Sequence, residues 1–194
     1  APAMLALALL GLEGTAAAAG NATPLFDGKS LAGWKQLGGN AEYSVHDGVI
    51  VGTSKPDKVN SFLVTEKDYS DFVLEFDVRQ DVGPTNSGVQ IRSRSTPQFE
   101  NGRVHGYQMD IDPTDRQWSG GVYEEAQRGW FYTGEMNPPA KLLYKFGEWN
   151  HYRIEAIGPR LRTWINGKPA SDVLDDGHKT GFIGLQVHSI DKAE

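Results

Sequence analysis

The sequence predicts an all-β protein, folded as an antiparallel β-sandwich or barrel. From Leu25 onward, short runs alternate apolar and polar residues with a period of two, and turn-forming residues separate these runs. Glycine is also abundant: 23 of the 194 residues, or about 12%, against roughly 7% in an ordinary protein. Helical periodicity is almost absent. No repeat of fixed length is present either, which argues against a propeller or a solenoid.

The first predicted hairpin joins Glu42–His46 to residues 49–51 through Asp47 and Gly48. Asp-Gly is a strong hairpin signal because both central residues of that turn take a positive φ. In the run 72–79, apolar side chains fall on one face and charged ones on the other, as expected of a strand with one buried face. The remaining runs with this alternation are residues 87–93, 107–112, 152–156, 161–165 and 182–188.

Residues 113–148 lack this alternation, and we predict that they form a long connection. The segment is rich in aromatic residues, namely Trp118, Trp130, Tyr132 and Tyr144. Loops of this length in a compact domain are usually functional. The alternative is a loop that closes one end of the sandwich and buries its own aromatic rings.

Composition narrows the classes of function. The length fits a single domain. The absence of cysteine excludes disulfides, thiol catalysis, zinc-cysteine sites and an acylated lipoprotein cysteine. A net charge of −6 argues against a nucleic-acid partner, since phosphate contacts need a basic face. No Gly-x-Ser-x-Gly, phosphate-binding or dinucleotide-binding motif supports a serine hydrolase, a kinase or a dehydrogenase.

The first 20 residues are predicted to be a signal peptide, and residues 21–194 the domain. An apolar run at 3–12 is followed by small residues, the pattern of a hydrophobic region and its cleavage zone. The run is shorter than the roughly 20 residues that a membrane span needs. We therefore expect a secreted or periplasmic bacterial protein without a membrane span; the alternative is an ordinary apolar helix.

Polar side chains share the face opposite the apolar one on several predicted strands. If these strands are neighbours in one sheet, the side chains line a single polar surface. Amides, carboxylates and guanidinium groups suit the hydroxyls of a sugar, and aromatic rings stack on its apolar face. For any one residue, exposure to water on a half-buried strand explains the polarity equally well. The set comprises Gln90, Arg92, Gln108, Asp110, Asp112, Gln186 and His188.

Two positions in this set suit acid–base chemistry. His188 shares a strand face with Gln186, and a histidine in a cleft can act as a general acid or base. Asp110 and Asp112 are two residues apart, so their carboxylates share a face and suit an acid–base pair or a cation site. A solvated strand end is the alternative for Asp112. The five histidines show no spacing typical of metal ligands.

Several strings, in order from about Leu25 to the C-terminus, resemble the 3-keto-disaccharide hydrolase domain family. This resemblance implies a concanavalin A-like jelly roll and cleavage of glycosides whose sugar carries a ketone at C3. The strings are Leu-Phe-Asp-Gly-Lys-Ser-Leu-Ala-Gly-Trp at 25–34, Asn-Ser-Gly-Val-Gln-Ile-Arg at 86–92, Gly-Tyr-Gln-Met-Asp-Ile-Asp at 106–112, Ser-Gly-Gly-Val-Tyr at 119–123, Gly-Glu-Trp-Asn at 147–150, Thr-Trp-Ile-Asn-Gly at 163–167 and Gly-Phe-Ile-Gly-Leu-Gln-Val-His at 181–188.

Two features depart from the family pattern. Gln108 and Asp110 stand where members of the family often have Glu and Gln, so the carboxylate has moved by one step along the same face. Family members usually continue into a further strand, and we expect this chain to lack that last strand and to leave an unpaired sheet edge.

The implied chemistry needs a base for the C2 proton, a group that stabilises the enolate, and an acid for the leaving group. We assign His188 or Asp110 as the base, Arg92 as the enolate stabiliser, and Tyr123 or Glu124 as the proton donor. No cofactor is assigned with certainty, and a divalent cation at Asp110 is left open. The substrate, a small oligosaccharide or glycoside, is expected to contact Asn86, Gln90, Gln108, Gln186, Trp118 and Trp130.

Two other functions remain open. One is a non-catalytic sugar-binding module, since the same fold serves lectins. The other is a glycosidase with paired carboxylates, for which Asp110 would act with Asp112 or Glu124.

Overall fold

A computed structural model describes residues 4–8 and 22–190 of the chain. Across these residues the fold is an antiparallel β-sandwich of the jelly-roll type, with two seven-stranded sheets. A short 3-10 helix, Pro138–Leu142, follows the tenth strand. Among the described residues, no helix has the length and apolar character that crossing a membrane would require.

The first sheet has the strand order β13-β12-β11-β6-β1-β4-β3. Its strands are β1 (Met4–Ala8), β3 (Glu42–His46), β4 (Val49–Thr53), β6 (Phe72–Gln80), β11 (Asn150–Ile157), β12 (Arg160–Ile165) and β13 (Lys168–Leu174). The second sheet has the order β10-β9-β8-β7-β14-β5-β2. Its strands are β2 (Trp34–Gly38), β5 (Ser61–Thr65), β7 (Ser87–Arg94), β8 (His105–Ile111), β9 (Val122–Glu125), β10 (Gly129–Tyr132) and β14 (Phe182–Val187).

The core lies between the two sheets and is built from the apolar faces that the alternation predicts. Met109 and Leu185 of the second sheet belong to the same buried cluster as Leu74, Phe76 and Ile154 of the first. Because side chains alternate along a strand, Gln108, Asp110 and Gln186 must then point away from the core. The outer face of the second sheet is therefore its polar face.

The segment 113–148 is more ordered than its sequence predicts. It contains β9, β10 and the 3-10 helix instead of one long loop. Each of the two strands has only four residues, which is too short for alternation to stand out from the surrounding aromatic residues. They extend the second sheet beside β8, so Tyr123 and Trp130 reach the polar face, whereas Phe131, Tyr132 and Tyr144 pack against the core, as the alternative of a loop that buries its own aromatic rings expects.

Residues 4–8 of the predicted signal peptide form β1, which pairs antiparallel with β4 and β6. Residues 1–3 and 9–20 of that predicted segment lie outside the described residues, as do residue 21 and residues 191–194, where the chain was expected to break off before its last strand. Both expectations remain predictions.

Candidate functional site

A cleft of about 1050 Å³ opens on the polar face of the second sheet. The strand order places β8 near its middle, with the aromatic residues of β9 and β10 on one side and β14, β5 and β2 on the other. Neighbouring strands are about 4.8 Å apart, so the seven strands span roughly 29 Å. Seven of the side chains predicted from the sequence line the cleft, namely Asn86, Gln108, Asp110, Tyr123, Trp130, Gln186 and His188.

Asp110 is the most buried carboxyl group of the cleft wall, with 1% of its surface exposed. Its Oδ2 accepts a hydrogen bond from Asn86 Nδ2 at 2.8 Å, and its Oδ1 accepts one from Gln108 Nε2 at 2.9 Å. Gln108 lies opposite Gln90 in the β7–β8 ladder and receives a hydrogen bond from Gln90 Nε2 at 2.7 Å. Ser93 Oγ donates in turn to Gln90 Oε1 at 2.7 Å. Three side-chain hydrogen bonds thus form a chain that runs from Ser93 through Gln90 and Gln108 to Asp110.

Gly88 is required for this arrangement. A Cβ atom built on Gly88 would lie 2.6 Å from the Cδ atom of Gln108, closer than real Cβ contacts approach. Glycine at this position lets the Gln108 side chain lie across β7 and hold Asp110. Two residues of the Asn-Ser-Gly motif therefore shape the site. Asn86 donates to Asp110 through its amide, and Gly88 leaves space for the Gln108 side chain.

Burial, and then the charge of Asp112, raises the pKa of Asp110 to about 8. The hydrogen bonds from Gln108 and Asn86, and the charge of Arg116, act in the opposite direction but are outweighed. Asp110 is thus mostly protonated at pH 7, and its carboxylate is a much stronger base than an ordinary aspartate. A group with a pKa near the working pH is suited to proton transfer.

This pKa also predicts how stability depends on pH. Unfolded Asp110 would titrate near about 3.9, so between pH 4 and 8 the native state binds more protons and unfolding becomes easier as pH rises. We expect the free energy of unfolding to fall by at least about 1 kcal/mol from pH 5 to pH 8 because of this group. Chemical denaturation of the wild type and of Asp110→Asn at both pH values measures it. An equal pH dependence in the two proteins would contradict the prediction.

Asp112 lies near Asp110, and Glu125 is a further carboxyl group of the cleft, opposite Gly106 in the β8–β9 ladder. Asp112 is fully buried rather than a solvated strand end, and its Oδ2 forms an ion pair with Arg116 at 2.9 Å. Burial raises the pKa of Glu125, and the charges of Arg103 and His188, which act in the opposite direction, are outweighed. Glu125 lines the cleft and lies two residues from Tyr123 on the same face of β9. The sequence prediction did not include Glu125, although alternation within β9 identifies it once that strand is recognised.

Aromatic rings form one side wall of the cleft. The Trp130 and Tyr123 rings lie 5.0 Å apart, and Trp118 packs edge-on against Trp130 at 4.9 Å. Trp118, which was predicted to contact the substrate, does not line the cleft and touches it only through Trp130. The Arg116 guanidinium lies over both indole rings, 5.1 Å from Trp118 and 5.6 Å from Trp130. Such contacts hold the indoles in place.

Tyr123 stays protonated. Burial, then the charges of Glu125 and Asp110, raises the pKa of its hydroxyl group. Tyr123 lies directly opposite Gln108 in the β8–β9 ladder, so it is the diagonal neighbour of Asp110. A neutral phenol beside a basic carboxylate can donate a hydrogen bond to charge that develops on a ligand oxygen.

His188 is exposed and lines the cleft just beyond the end of β14. Its Nδ1 lies 2.9 Å from the carbonyl oxygen of Ser189, which makes Nδ1 the protonated nitrogen of the neutral ring. Nε2 is then left with a lone pair. Since β14 is two strands from β8, His188 is about 10 Å from the position of Asp110.

Arg92, predicted to stabilise an enolate, does not reach the cleft. It takes a positive φ of 48° within a bulge, where the ladder between β7 and β8 shifts register. Its side chain, 1% exposed, therefore leaves the face of Gln90 and reaches the first sheet. The guanidinium donates to Asp71 Oδ1 at 2.8 Å and to the carbonyl oxygens of Ser70, Ala156 and Gly158 at 2.6 to 3.0 Å.

Glu124, predicted as a proton donor, also points away from the cleft. Because it follows Tyr123 in β9, its side chain points to the opposite face of the sheet. Its Oε1 accepts a hydrogen bond from Arg128 Nη2 at 3.0 Å, and His178 Nε2 lies 2.7 Å from the same oxygen. Burial raises the pKa of Glu124, but the bonds from Arg128 and His178 outweigh it, and the net direction is downward. Glu124 is therefore an ionised partner within a polar cluster on the core side of the sheet.

The side chains do not form a site for a divalent cation at Asp110. Within residues 22–190, no group of three or more His, Asp or Glu side chains is placed to hold a metal ion. Both oxygens of Asp110 already accept amide hydrogen bonds, and Asp112 is paired with Arg116.

Several solved structures share this fold. The carbohydrate-binding module CBM66 of Bacillus subtilis superposes with a TM-score of 0.60 at 18% identity, covering 80% of this chain and 87% of that one. A protein of Parabacteroides distasonis, provisionally described as a glycosyl hydrolase, gives a TM-score of 0.61 at 22% identity, with 86% and 87% covered. A Bacillus subtilis protein of unknown function with a galectin-like fold gives 0.59 at 11% identity, with 80% and 83% covered.

No curated protein matches the chain by sequence. The model of one protein family does, over residues 21–194, and this confirms the resemblance inferred from the sequence strings. The chain belongs to the family of 3-keto-alpha-glucoside-1,2-lyase-like domains.

Proposed function

We propose that this protein cleaves glycosides whose sugar carries a ketone at C3, and that Asp110 is its general base. The observation that carries the proposal is a buried carboxyl group, oriented by two amide hydrogen bonds, in the wall of a cleft that also has an aromatic side; burial raises the pKa of this group. The description of the family names a 3-keto-alpha-glucoside lyase, which supports this choice of substrate. The similarity in fold to the carbohydrate-binding module CBM66 supports a sugar ligand.

In the first step, the Asp110 carboxylate removes the proton from C2, which the neighbouring C3 ketone acidifies. The electron pair of the C2–H bond forms the C2=C3 double bond of an enediolate, and the negative charge moves to the oxygen on C3. The Tyr123 hydroxyl group, adjacent to Asp110 and protonated, takes the part that Arg92 was predicted to play and donates a hydrogen bond to that oxygen.

In the second step, the C3 ketone re-forms, the C2=C3 electron pair becomes a C1=C2 double bond, the C1–O bond breaks, and the leaving oxygen takes up a proton. Tyr123 suits this role, as the sequence analysis expected, because it is protonated and is the diagonal neighbour of Asp110, whereas Glu125 lies opposite Gly106, four residues along β8 from Asp110. Water then adds at C1 while C2 recovers its proton from Asp110. The sum of these steps is hydrolysis, and release before the addition of water gives the lyase product.

His188 remains an alternative base. Its contact with the Ser189 carbonyl oxygen uses Nδ1, which leaves the Nε2 lone pair available. The His188 side chain lines the same cleft as Asp110. Asp110 is favoured because it sits beside Tyr123 and because its amide partners fix its orientation.

Release of nitrophenol from 4-nitrophenyl 3-keto-glucoside tests the proposal. We expect turnover at least about 100-fold faster than with the unoxidised glucoside, because only the ketone acidifies C2. Added EDTA should leave the rate unchanged, since the proposed steps use side chains alone. Equal rates on both glucosides would contradict the keto-dependent mechanism.

A non-catalytic sugar-binding module is the second candidate, favoured by the stacked wall of Trp130 and Tyr123. It would bind glycosides without releasing nitrophenol. A glycosidase that pairs Asp110 with Glu124 or Asp112 has less support, because Glu124 faces the core and Asp112 is tied to Arg116.

We also propose export to the periplasm or the medium, on the basis of the apolar run and small residues within positions 1–20. N-terminal sequencing of the protein recovered from a bacterial host would show cleavage near residue 20. Recovery in the cytoplasm with an intact N-terminus would contradict export.

A further inference from the structure

A short hairpin at the edge of the second sheet carries the aromatic wall of the cleft. Tyr123 on β9 and Trp130 on β10 lie directly opposite each other in the ladder between these strands. Each strand has four residues, the ladder shifts register between Trp130 and Tyr132, and β10 is the last strand in the order of its sheet. Segments with few ladder hydrogen bonds open more easily than the centre of a sheet. The position of the wall therefore depends on support from outside the ladder.

Glu124 and Arg128 close this hairpin on the side that faces away from the cleft. The Arg128 backbone N–H donates to Glu124 Oε2 at 3.0 Å, and its Nε donates to the same oxygen at 2.5 Å. Its Nη2 donates to Glu124 Oε1 at 3.0 Å. Such a two-pronged contact between a guanidinium and a carboxylate fixes orientation as well as distance. The Arg128 side chain is half-exposed, but Glu124 is buried, so solvent screens this pair less than one at an open surface.

The same guanidinium joins the hairpin to the first sheet. Its Nη1 and Nη2 donate to the two carboxylate oxygens of Asp175, each at 2.9 Å. Asp175 directly follows β13, the edge strand of the first sheet. It is held in turn by hydrogen bonds from the Tyr107 hydroxyl group and from the Gly177 backbone N–H. We call Glu124, Arg128 and Asp175 the clasp.

The clasp stays charged over the pH range in which the cleft works. Hydrogen bonds from Arg128 lower the pKa of Asp175 and outweigh the effect of burial. The net direction for the pKa of Glu124 is also downward. The Arg128 guanidinium lies 4.3 Å from the centre of the Phe131 ring, which packs against the core. The clasp is therefore a fixed support of the hairpin.

We propose that Arg128 is a positioning residue for the aromatic wall: by joining Glu124 to Asp175, it holds Tyr123 and Trp130 in place beside Asp110. Arg128 does not line the cleft, so it acts through the hairpin and not by contact with a ligand. The consequence for turnover rests on the proposed function, in which Tyr123 is the proton donor. The effect on the position of the wall does not rest on it.

Circular dichroism of the indole rings tests the position of the wall without a substrate. Trp118 and Trp130 lie 4.9 Å apart, so their excited states couple and should give a pair of far-ultraviolet bands of opposite sign. Arg128→Met keeps an unbranched stem but cannot bridge two carboxylates. We expect it to lose most of this paired signal at a temperature where thermal unfolding shows that it is folded.

Arg160→Met is the matched control. It breaks another two-pronged contact between an arginine and an aspartate, from Arg160 to Asp172 at 2.8 and 2.6 Å, which lies exposed on β12 and β13. The paired bands should stay as in the wild type.

Asp175→Asn is a second test of the clasp, and it leaves the pair of Glu124 and Arg128 in place. Asparagine keeps one oxygen for the Tyr107 hydroxyl group but removes the charge and one of the acceptors that Arg128 uses. We expect it to weaken the paired bands in the same direction as Arg128→Met. Paired bands that are unchanged in both folded variants would overturn the proposal.

Kinetics on 4-nitrophenyl 3-keto-glucoside separate positioning from a general loss of stability. Arg128→Met should lower kcat/KM at least about tenfold, because a displacement of about 1 Å at a catalytic group can cost about 100-fold. In a Tyr123→Phe background the same substitution should cost clearly less, since the hydroxyl group that it positions is already gone. Equal fold losses in both backgrounds would overturn the proposal. If the wild type released no nitrophenol, the proposed function would fail, and circular dichroism would still decide the role of Arg128.

Discussion

Replacement of Asp110 by asparagine is expected to lower kcat/KM on a 3-keto-glucoside by at least about 100-fold, the usual contribution of a positioned general base. Asparagine keeps the size of the side chain but has no basic oxygen for the C2 proton. Because the pKa of Asp110 is about 8, kcat/KM of the wild type should rise with pH and level off above that value. The rise should vanish in Asp110→Asn.

Asp115→Asn is the control for this experiment, since Asp115 is exposed and lies only five residues along the chain. It should keep wild-type turnover and the same pH profile. Circular dichroism and thermal unfolding of both variants establish that they are folded. If Asp110→Asn keeps turnover while His188→Ala loses it, the base is His188 and the assignment of Asp110 is wrong.

Replacement of Arg92 by methionine is expected to lower the free energy of unfolding by about 3 kcal/mol, the range for breaking a buried, hydrogen-bonded charge. The variant would leave three carbonyl oxygens between the two sheets without the hydrogen bonds that Arg92 donates to them. They belong to Ser70, Ala156 and Gly158. Asp71 is largely exposed and can turn to water, so its loss should add little. Urea denaturation of the two proteins measures the difference.

The same variant distinguishes a structural role of Arg92 from the catalytic one that the sequence suggested. At temperatures where Arg92→Met is fully folded, its turnover should remain within a few-fold of the wild type, because the guanidinium does not reach the cleft. Arg94→Met, at an exposed position two residues along, should change neither stability nor turnover. If folded Arg92→Met instead turned over substrate about 100-fold more slowly, as expected on loss of a catalytic group, Arg92 would return to the active site.

The network around Asp110 explains why the departure from the family pattern is compatible with a working site. Gln108, at the position often occupied by Glu, is a link that takes a hydrogen bond from Gln90 and passes one to Asp110. The carboxylate at 110 remains on the same face of β8 and one ladder step from Tyr123. Gln108 and Asp110 therefore act as a hydrogen-bonded pair that fixes the position of the carboxyl group in the cleft.

The sequence by itself determined the sandwich and its polar face. Alternation in β6, β8 and the parts of β7 and β14 that pair regularly makes one face of each strand apolar, and burial of that face leaves Gln108, Asp110, Gln186 and His188 on the opposite one. The order of the sequence strings also identified the family, which its model match confirms. These results follow from patterns within single strands, which do not depend on which strand lies alongside.

Only the tertiary structure decided which polar residues meet in the cleft. The bulge at Arg92 reverses a side chain that alternation alone assigns to the cleft, and a bulge depends on the pairing of β7 with β8. The four-residue strand β9 sends Tyr123 and Glu125 outward and Glu124 inward, a choice visible only once its register with β8 is fixed. The raised pKa of Asp110 likewise depends on burial and on the approach of Asp112, which no local pattern encodes.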